Sequence, residues 1–289
     1  MRSEQDMLDL IIGAARNDER IRAAMISGSR VNPKVKRDIF QDYDITYFVT
    51  EIESFTVDHA WITPFGEIMI LQMPETMEDP PPMNDGHFTY LMQFTDGNRI
   101  DLSLFPLERL HDYEHESLSA ILLDKDNLFE SLPAPSDSDY LSTPPTPKSF
   151  ADCCNEFWWV SCYVAKGLWR EEIVYAKTML DTAMRDQLLK MLTWHVGIKT
   201  GFAAGPGNYG KYLKQRLAPD HWSMLERTYA DAGYARTWKA LHAMCDLFRI
   251  TATGVATYFD LEYPYGEDAR VTAHLKHVQS LPRDAAAIY

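Results

Sequence analysis

The sequence lacks the features that mark membrane-spanning, secreted and zinc-binding proteins. None of its apolar runs, over 289 residues, is long enough to cross a bilayer. Its charged N-terminus does not resemble a secretion signal, so we predict a cytoplasmic protein with no membrane partner. The four cysteines have neither the spacing of metal ligands nor that of a disulfide framework. We therefore expect reduced thiols.

Several common catalytic signatures are missing as well. The chain has no P-loop, because the Gly-Lys-Ser/Thr ending is absent, and no Gly-x-Ser-x-Gly motif of serine hydrolases. His195, His221 and His242 of the second half lie far apart in the sequence on predicted helices and do not suggest a zinc site. A Walker-type ATPase, a serine hydrolase and a zinc enzyme are thus disfavoured.

Basic residues are scarce in the first half of the chain. Residues 1–147 hold 27 Asp and Glu against 11 Lys and Arg, a balance of −16, whereas residues 148–289 hold 15 against 17, a balance of +2. An acidic half disfavours nucleic acid as a partner, because phosphate contacts need clustered cationic side chains. It favours a cationic substrate, although acidity that only keeps the protein soluble explains the charge equally well.

Proline clusters in one stretch and suggests a division of the chain. We predict one domain over residues 1–132, a Pro-rich linker over 133–147 and an all-α domain over 148–289. Strands are expected over 21–27, 42–50, 67–73, 88–94 and 100–105. Helices are expected after a Ser3 cap, over 54–61 and 107–118, then from a Ser149 cap to 168, and over 171–199, 209–217, 221–230, 235–259 and 267–278. The mixture in the first half indicates an α/β or α+β domain.

Three carboxylates stand out in that first half. Asp42 and Asp44 lie two apart in a predicted strand, so both point to one face of the sheet. Asp101 lies between Ile100 and Leu102, which face the other way, and its strand could bring it beside the pair. Clustered carboxylates repel one another unless a cation lies between them, and Mg²⁺ is the usual cation. The pattern points to nucleotide chemistry.

A tight turn precedes the carboxylates in the chain. Gly28, Ser29 and Arg30 follow a predicted strand, and there glycine permits close approach of a phosphate to which hydroxyl and amide groups can donate. The planar guanidinium of Arg30 also suits a phosphate, although a surface role is equally compatible with it. Gly-Ser alone is common in turns. Its order relative to the carboxylates is what makes the prediction specific.

These motifs resemble the polymerase β-type nucleotidyltransferase superfamily and, within it, the aminoglycoside 6-adenylyltransferases. The resemblance covers nearly the whole chain and fades over residues 77–87, 128–148, 205–210 and beyond about 260. It is carried by Gly28-Ser29-Arg30, Asp42-Tyr43-Asp44 within 40–49, Ile100-Asp101-Leu102, and the segments 123–126, 152–158 and 196–202.

The resemblance implies an α+β fold, in which a nucleotidyltransferase domain with a mixed sheet flanked by helices precedes a C-terminal all-α helical bundle. It implies transfer of AMP from ATP to an aminoglycoside hydroxyl, for streptomycin the 6-hydroxyl, with release of pyrophosphate and antibiotic resistance. Asp42 and Asp44 would hold two Mg²⁺ ions, and Asp101 would share a metal or act as general base. Lys166 would reach the triphosphate, although an ordinary surface lysine is the alternative.

The helical half offers candidate contacts for a cationic aminoglycoside. Asp152 and Glu156 share a helix face, and Trp159 adds flat apolar surface. A solvated acidic helix edge with tryptophans in the core is the alternative interpretation. Two other functions stay open: a nucleotidyltransferase acting on another acceptor, such as a different hydroxyl, a protein or a nucleotide, and a non-catalytic protein that sequesters a small cation.

Overall fold

The chain forms two compact units. A computed structural model describes residues 1–83 and 85–289, and these divide into Met1–Asp139, here called the sheet unit, and Tyr140–Tyr289, the helical unit. The division falls within the Pro-rich stretch, where a 3₁₀ turn covers Ser138–Tyr140. Across the described residues, no helix combines the length and hydropathy needed to span a bilayer.

The sheet unit is built on a mixed sheet, which confirms the predicted α+β class. Its strands within the described residues are β1 Ile21–Ser27, β2 Tyr43–Val49, β3 Ile68–Gln72, β4 Phe88–Phe94, β5 Arg99–Pro106 and β6 Ser119–Asp124. They are ordered β3-β4-β5-β2-β1-β6. Strands β2 and β5 run parallel, whereas the other neighbours are antiparallel. The parallel pair lies at the centre of the sheet and carries the acidic residues.

Both faces of this sheet bury apolar side chains. Helix α1, Glu4–Asn17, begins with a capping box between Ser3 and Asp6 and packs its buried stripe against one face. The Tyr47 hydroxyl donates to the Ile11 carbonyl at 2.6 Å and joins this helix to β2. On the opposite face Phe48 belongs to a smaller apolar cluster. The alternation predicted for the second strand is therefore present, and it directs Asp44 to the face of Phe48.

Two of the helix predictions for the sheet unit are wrong. The segment 54–61 is divided between helix α2, Glu53–Thr56, and a 3₁₀ helix, His59–Phe65, which Asp58 caps. The segment 107–118 is a 3₁₀ helix only over Leu107–Asp112, and strand β6 follows it. Strand β6 depends on pairing with the distant β1, which a local pattern does not reveal. The remaining 3₁₀ turns of this unit are Gly28–Val31 and Pro74–Thr76.

The helical unit packs long helices around one core. Its helices are α3 Pro147–Trp169, α4 Ile173–Met179, α5 Arg185–Thr200, α6 Leu213–Arg216, α7 Pro219–Glu226, α8 Tyr234–Phe259 and α9 Tyr265–Ser280, with a π turn at Leu180–Met184 and a 3₁₀ turn at Asn208–Gly210. Phe157 on α3 stacks on Phe248 of α8 with ring centroids 3.7 Å apart. All four cysteines lie in this unit and are free, as expected.

The ends of these helices follow ordinary capping chemistry, with one correction. Thr146, and not Ser149, is the N-cap of α3, because Pro147 takes the first helical position and Ser149 completes a capping box from the third. Gly201 ends α5 in the left-handed conformation, just beyond the predicted helix end at residue 199. The helix predicted over 209–217 shrinks to α6, since Tyr209 adopts a positive φ of 51°.

Candidate active site

The three predicted carboxylates meet at one end of the parallel strand pair. Asp44 on β2 lies in register with Asp101 on β5, and Asp42 immediately precedes β2. Each side chain offers a carboxylate oxygen, and these oxygens all lie within 4.8 Å of one another. A cluster of this kind provides the hard oxygen donors that Mg²⁺ prefers, so the donor set fits this cation.

The electrostatics of the cluster are unfavourable without a cation. Burial raises the pKa of the Asp44 carboxyl to about 7, and the negative charges of Asp42 and Asp101 add to the rise. Arg99 opposes the rise but does not cancel it. The ionised cluster therefore carries more negative charge than its surroundings compensate, and a bound divalent cation would relieve this repulsion.

Arg99 is the charged neighbour that the sequence reasoning missed. Its Nε lies 2.7 Å from one oxygen of Asp101 and its Nη2 lies 2.6 Å from the other, which makes a bidentate ion pair. The same Nε is 4.0 Å from a carboxylate oxygen of Asp42. The two-residue spacing of Arg99 and Asp101 on one strand was the available signal, because such residues share a face.

Gly28 allows the cluster to lie against the first turn. It has a positive φ of 75°, and a Cβ added to it would lie only 2.3 Å from an oxygen of Asp44. Glycine is thus required by both conformation and space. Its backbone N–H donates to the Leu118 carbonyl at 2.9 Å, so this amide is already engaged. Ser29 follows in the 3₁₀ turn and is half-buried.

Arg30 lies beneath the turn and supports the segment that bears Asp42. Its Nε donates to the Asp42 carbonyl at 2.8 Å and its Nη2 to the Gln41 carbonyl at 2.6 Å. Its guanidinium lies 3.6 Å from the centre of the Tyr43 ring, and the residue is only 9% exposed. Two of its three guanidinium nitrogens are therefore committed to backbone. The phosphate contact predicted for Arg30 stays a prediction.

The predicted residues of the helical half lie, together with Tyr163, along one exposed face of α3. Their spacing of four, three, four and three residues places them in line, and we call them the α3 stripe: Asp152, Glu156, Trp159, Tyr163 and Lys166. Trp159 is 59% exposed, which contradicts the alternative that places it in the core. Its indole N–H donates to the Tyr163 hydroxyl at 2.8 Å.

The two ends of the α3 stripe carry opposite charges. Asp152 forms an ion pair with Lys148 one turn earlier, whereas Glu156 is exposed. Lys166 places its Nζ 4.8 Å from the centre of the Tyr163 ring. Tyr163 was missed by the sequence reasoning, although its position four residues after Trp159 would have placed it on this face.

Known proteins match most of this chain in sequence. The sequence profile of a family described as streptomycin adenylyltransferase matches residues 1–278. The chain is 43% identical over 265 residues to an aminoglycoside 6-adenylyltransferase from Campylobacter jejuni, covering 91% of this chain and 92% of that protein. It is 42% identical over 266 residues to one from Bacillus subtilis, covering 91% and 94%.

A third relative and a solved structure carry the same description. An aminoglycoside 6-adenylyltransferase from Staphylococcus aureus is 38% identical over 266 residues, covering 91% of this chain and 94% of that protein. A crystal structure of an aminoglycoside 6-adenyltransferase from Bacillus subtilis shares 37% identity, covers 97% of this chain and 100% of its own, and gives a TM-score of 0.49.

Proposed function

This chain belongs to the streptomycin adenylyltransferase family, and on that premise we propose that it transfers AMP from ATP to a hydroxyl of an aminoglycoside, releasing pyrophosphate. For streptomycin the acceptor is the 6-hydroxyl, and the modification confers resistance. The observation that carries the proposal is the register of β2 and β5, which sets Asp44 beside Asp101 with Asp42 within 4.8 Å.

Asp42, Asp44 and Asp101 are the proposed ligands for two Mg²⁺ ions. When bound, Mg²⁺ neutralises the triphosphate and lowers the pKa of the acceptor hydroxyl. The protein's part is to hold hard oxygen donors in a fixed arrangement on adjacent strands. The raised pKa of Asp44 supports this role, because a group that ionises reluctantly alone ionises readily beside a cation.

Asp101 is proposed either to share a metal or to take the proton of the attacking hydroxyl. Both roles require a free carboxylate oxygen, and Arg99 now engages both oxygens. A carboxylate released from such a pair becomes a stronger base, since the arginine no longer stabilises its ionised form. An Asp101→Asn variant tested across pH distinguishes the roles: loss of a general base makes the residual rate depend on hydroxide, whereas loss of a ligand weakens metal affinity.

Gly28, Ser29, Arg30 and Lys166 are proposed as the nucleotide contacts. The turn at Gly28 supports this role, because glycine leaves the backbone open next to the carboxylates. The Ser29 hydroxyl is the proposed donor to phosphate, since the Gly28 amide is engaged. Lys166 lies at the C-terminal end of the α3 stripe and would contribute its charge as a point cation.

The acidic and aromatic part of the α3 stripe is proposed to contact the aminoglycoside. The carboxylates of Asp152 and Glu156 suit guanidinium or ammonium groups, and the exposed ring of Trp159 offers a face for a cation or a sugar. The acidic first half, with its balance of −16 over residues 1–147, would attract such a ligand.

A mass-spectrometric assay tests the proposed function directly. The protein is incubated with ATP, Mg²⁺ and one aminoglycoside at a time, and each antibiotic is examined for an added adenylyl group. We expect modified streptomycin, pyrophosphate release, and neither product after chelation of the metal or with Asp44→Asn. An adenylyl group that appears only on protein or on a nucleotide would instead identify another acceptor.

A further inference from the structure

Arg99 is the cation that the structure places on the proposed metal site. Its guanidinium engages both oxygens of Asp101, at 2.7 and 2.6 Å, and approaches Asp42 at 4.0 Å. A bidentate guanidinium uses one lone pair of each carboxylate oxygen and places its positive charge beside the others, which disfavours a second cation there. Divalent metal and Arg99 therefore compete for the same donor atoms.

Two arginines serve the cluster, and they are held very differently. Arg30 is buried and donates to two backbone carbonyls, so it is part of the fixed scaffold. The Arg99 side chain is 46% exposed, and its ion pairs are with carboxylates. A half-exposed guanidinium can be solvated by water when it leaves its carboxylate. Arg99 can therefore leave Asp101 while Arg30 keeps the Asp42 segment in place.

We propose that Arg99 is an exchangeable counter-ion: it pairs with Asp101 in the free enzyme, gives way to the divalent cation that accompanies ATP, and then binds the triphosphate. The inference rests on the proposed function and adds a nucleotide-binding residue to it. A guanidinium suits both partners, because its planar fork matches a carboxylate and a phosphate alike. The exchange keeps the cluster partly neutralised whether or not nucleotide is present.

The proposal gives Arg99 a signature that a structural arginine lacks. Weakening the pair with Asp101 removes a competitor, so metal binding to the free protein becomes tighter. Loss of the guanidinium also removes a triphosphate ligand, so the KM for ATP rises. An arginine that merely orients Asp101 would act in the opposite sense on the metal, because its loss would leave Asp101 disordered and weaken metal binding.

Titration of the free protein with Mn²⁺, followed by electron paramagnetic resonance without nucleotide, tests the exchange. The variants are Arg99→Lys, which keeps the charge but loses the fork, and Arg99→Met, which loses both. For each we expect the Mn²⁺ dissociation constant to fall about threefold to tenfold, and the KM for ATP to rise. Arg37→Lys is the matched control, since Arg37 is an exposed arginine paired with Glu4 outside the cluster, and its Mn²⁺ affinity should not change.

Each other result overturns the inference in a recognisable way. Unchanged or weaker Mn²⁺ binding by Arg99→Lys means that Arg99 does not compete with the metal. Tighter Mn²⁺ binding by Arg99→Met but not by Arg99→Lys means that the positive charge at this position opposes the metal, and that the bidentate pair with Asp101 does not. No Mn²⁺ binding by the wild type or by either Arg99 variant would overturn the metal site of the proposed function as well. Thermal melting of each variant verifies that the fold is retained.

Discussion

The buried carboxylate of Asp268 in the helical unit is fully compensated, whereas the acidic cluster of the sheet unit is not. Asp268 on α9 is only 4% exposed and accepts hydrogen bonds from Arg249 at 2.6 and 2.7 Å, from Tyr263 at 2.8 Å and from Thr272 at 2.9 Å. Burial opposes its ionisation, but these donors outweigh that effect and hold its pKa below the usual range.

The acidic cluster of the sheet unit has no such set of partners. Arg99 pairs with Asp101 and lies 4.0 Å from Asp42, but it makes no ion pair with Asp44. The pKa of Asp44 rises to about 7, first through burial and then through the neighbouring carboxylates. Where a buried charge supports the fold, its compensation is built from several donors. Where compensation is partial, the fold tolerates repulsion that a ligand can relieve, which is typical of a functional site.

The largest expected effect is the loss of turnover when a cluster carboxylate is neutralised. Asp42→Asn and Asp44→Asn should each reduce kcat by roughly a thousandfold, because a ligand that positions the transferred group is removed. Pyrophosphate release with streptomycin as acceptor measures the effect. Their melting temperatures should not fall, since a repulsive charge is removed. Wild-type turnover in either variant would remove the carboxylate from the mechanism.

At Asp268, neutralisation is expected to lower stability and to leave turnover unchanged. Asp268→Asn should lower the free energy of unfolding by about 2–3 kcal/mol, because Arg249 loses its buried partner. Denaturation in urea measures this change, and kcat of the folded protein should stay near the wild-type value. Asp246→Asn is the matched control: Asp246 also pairs with Arg249, at 2.9 Å, but is exposed, so its effect should stay below about 0.5 kcal/mol. Equal effects of both would contradict the role of burial.

The dependence of stability on pH sharpens the contrast further. Because the pKa of Asp44 is raised in the folded state, the native protein binds more protons than the unfolded chain between about pH 4 and pH 7. The contribution of Asp44 to the free energy of unfolding is therefore fully present below about pH 4 and is lost as the pH rises to about 7. In metal-free buffer, the free energy of unfolding of Asp44→Asn, relative to that of the wild type, should increase by about 2 kcal/mol between pH 4 and pH 8.

Urea denaturation of both proteins across this range checks the sign. A difference between Asp44→Asn and wild type that does not change with pH would mean that Asp44 ionises as freely in the fold as in the unfolded chain. Added Mg²⁺ should reduce the difference at pH 8, because the cation stabilises the ionised carboxylate of the wild type alone.

The smallest expected effect concerns the α3 stripe. Trp159→Ala should raise the KM for streptomycin about twofold to fivefold, since an exposed ring contributes modestly to binding a cation. Steady-state kinetics at saturating ATP measure it, with kcat little changed. Tyr258→Ala on α8 is the control, because Tyr258 is similarly exposed but lies off the stripe. An unchanged KM for Trp159→Ala would remove this side chain from the acceptor site.

Sequence patterns located the acidic cluster because its determinants are local. Alternation along β2 fixes the faces of Asp42 and Asp44, and the flanking apolar residues fix that of Asp101. The partner of Asp101 was overlooked, although Arg99 lies two residues away on the same strand. The support given by Arg30 could not be predicted from the sequence. Its acceptors are backbone carbonyls, which every residue has whatever its side chain.

The difference between local and long-range determinants also explains which elements of the fold were predicted. The long helices α3 and α8 were predicted close to their observed bounds, because their apolar periodicity is a local signal. The single helix predicted over 171–199 is instead divided into α4, the π turn at Leu180–Met184 and α5. Strand β6 was missed, since a short apolar segment becomes an edge strand only when β1 is available beside it. Local patterns therefore gave the candidate site, and long-range pairing decided what surrounds it.

Binding of Mn²⁺ in the presence of a non-hydrolysable ATP analogue tests most directly whether the undercompensated carboxylates form the metal site. Wild-type protein and an Asp42→Asn, Asp44→Asn double variant are compared by electron paramagnetic resonance, with circular dichroism confirming that both are folded. We predict that the wild type binds Mn²⁺ with the nucleotide and that the double variant loses this binding while keeping its fold. Equal binding by the two proteins would contradict the assignment of the acidic cluster as the catalytic metal site.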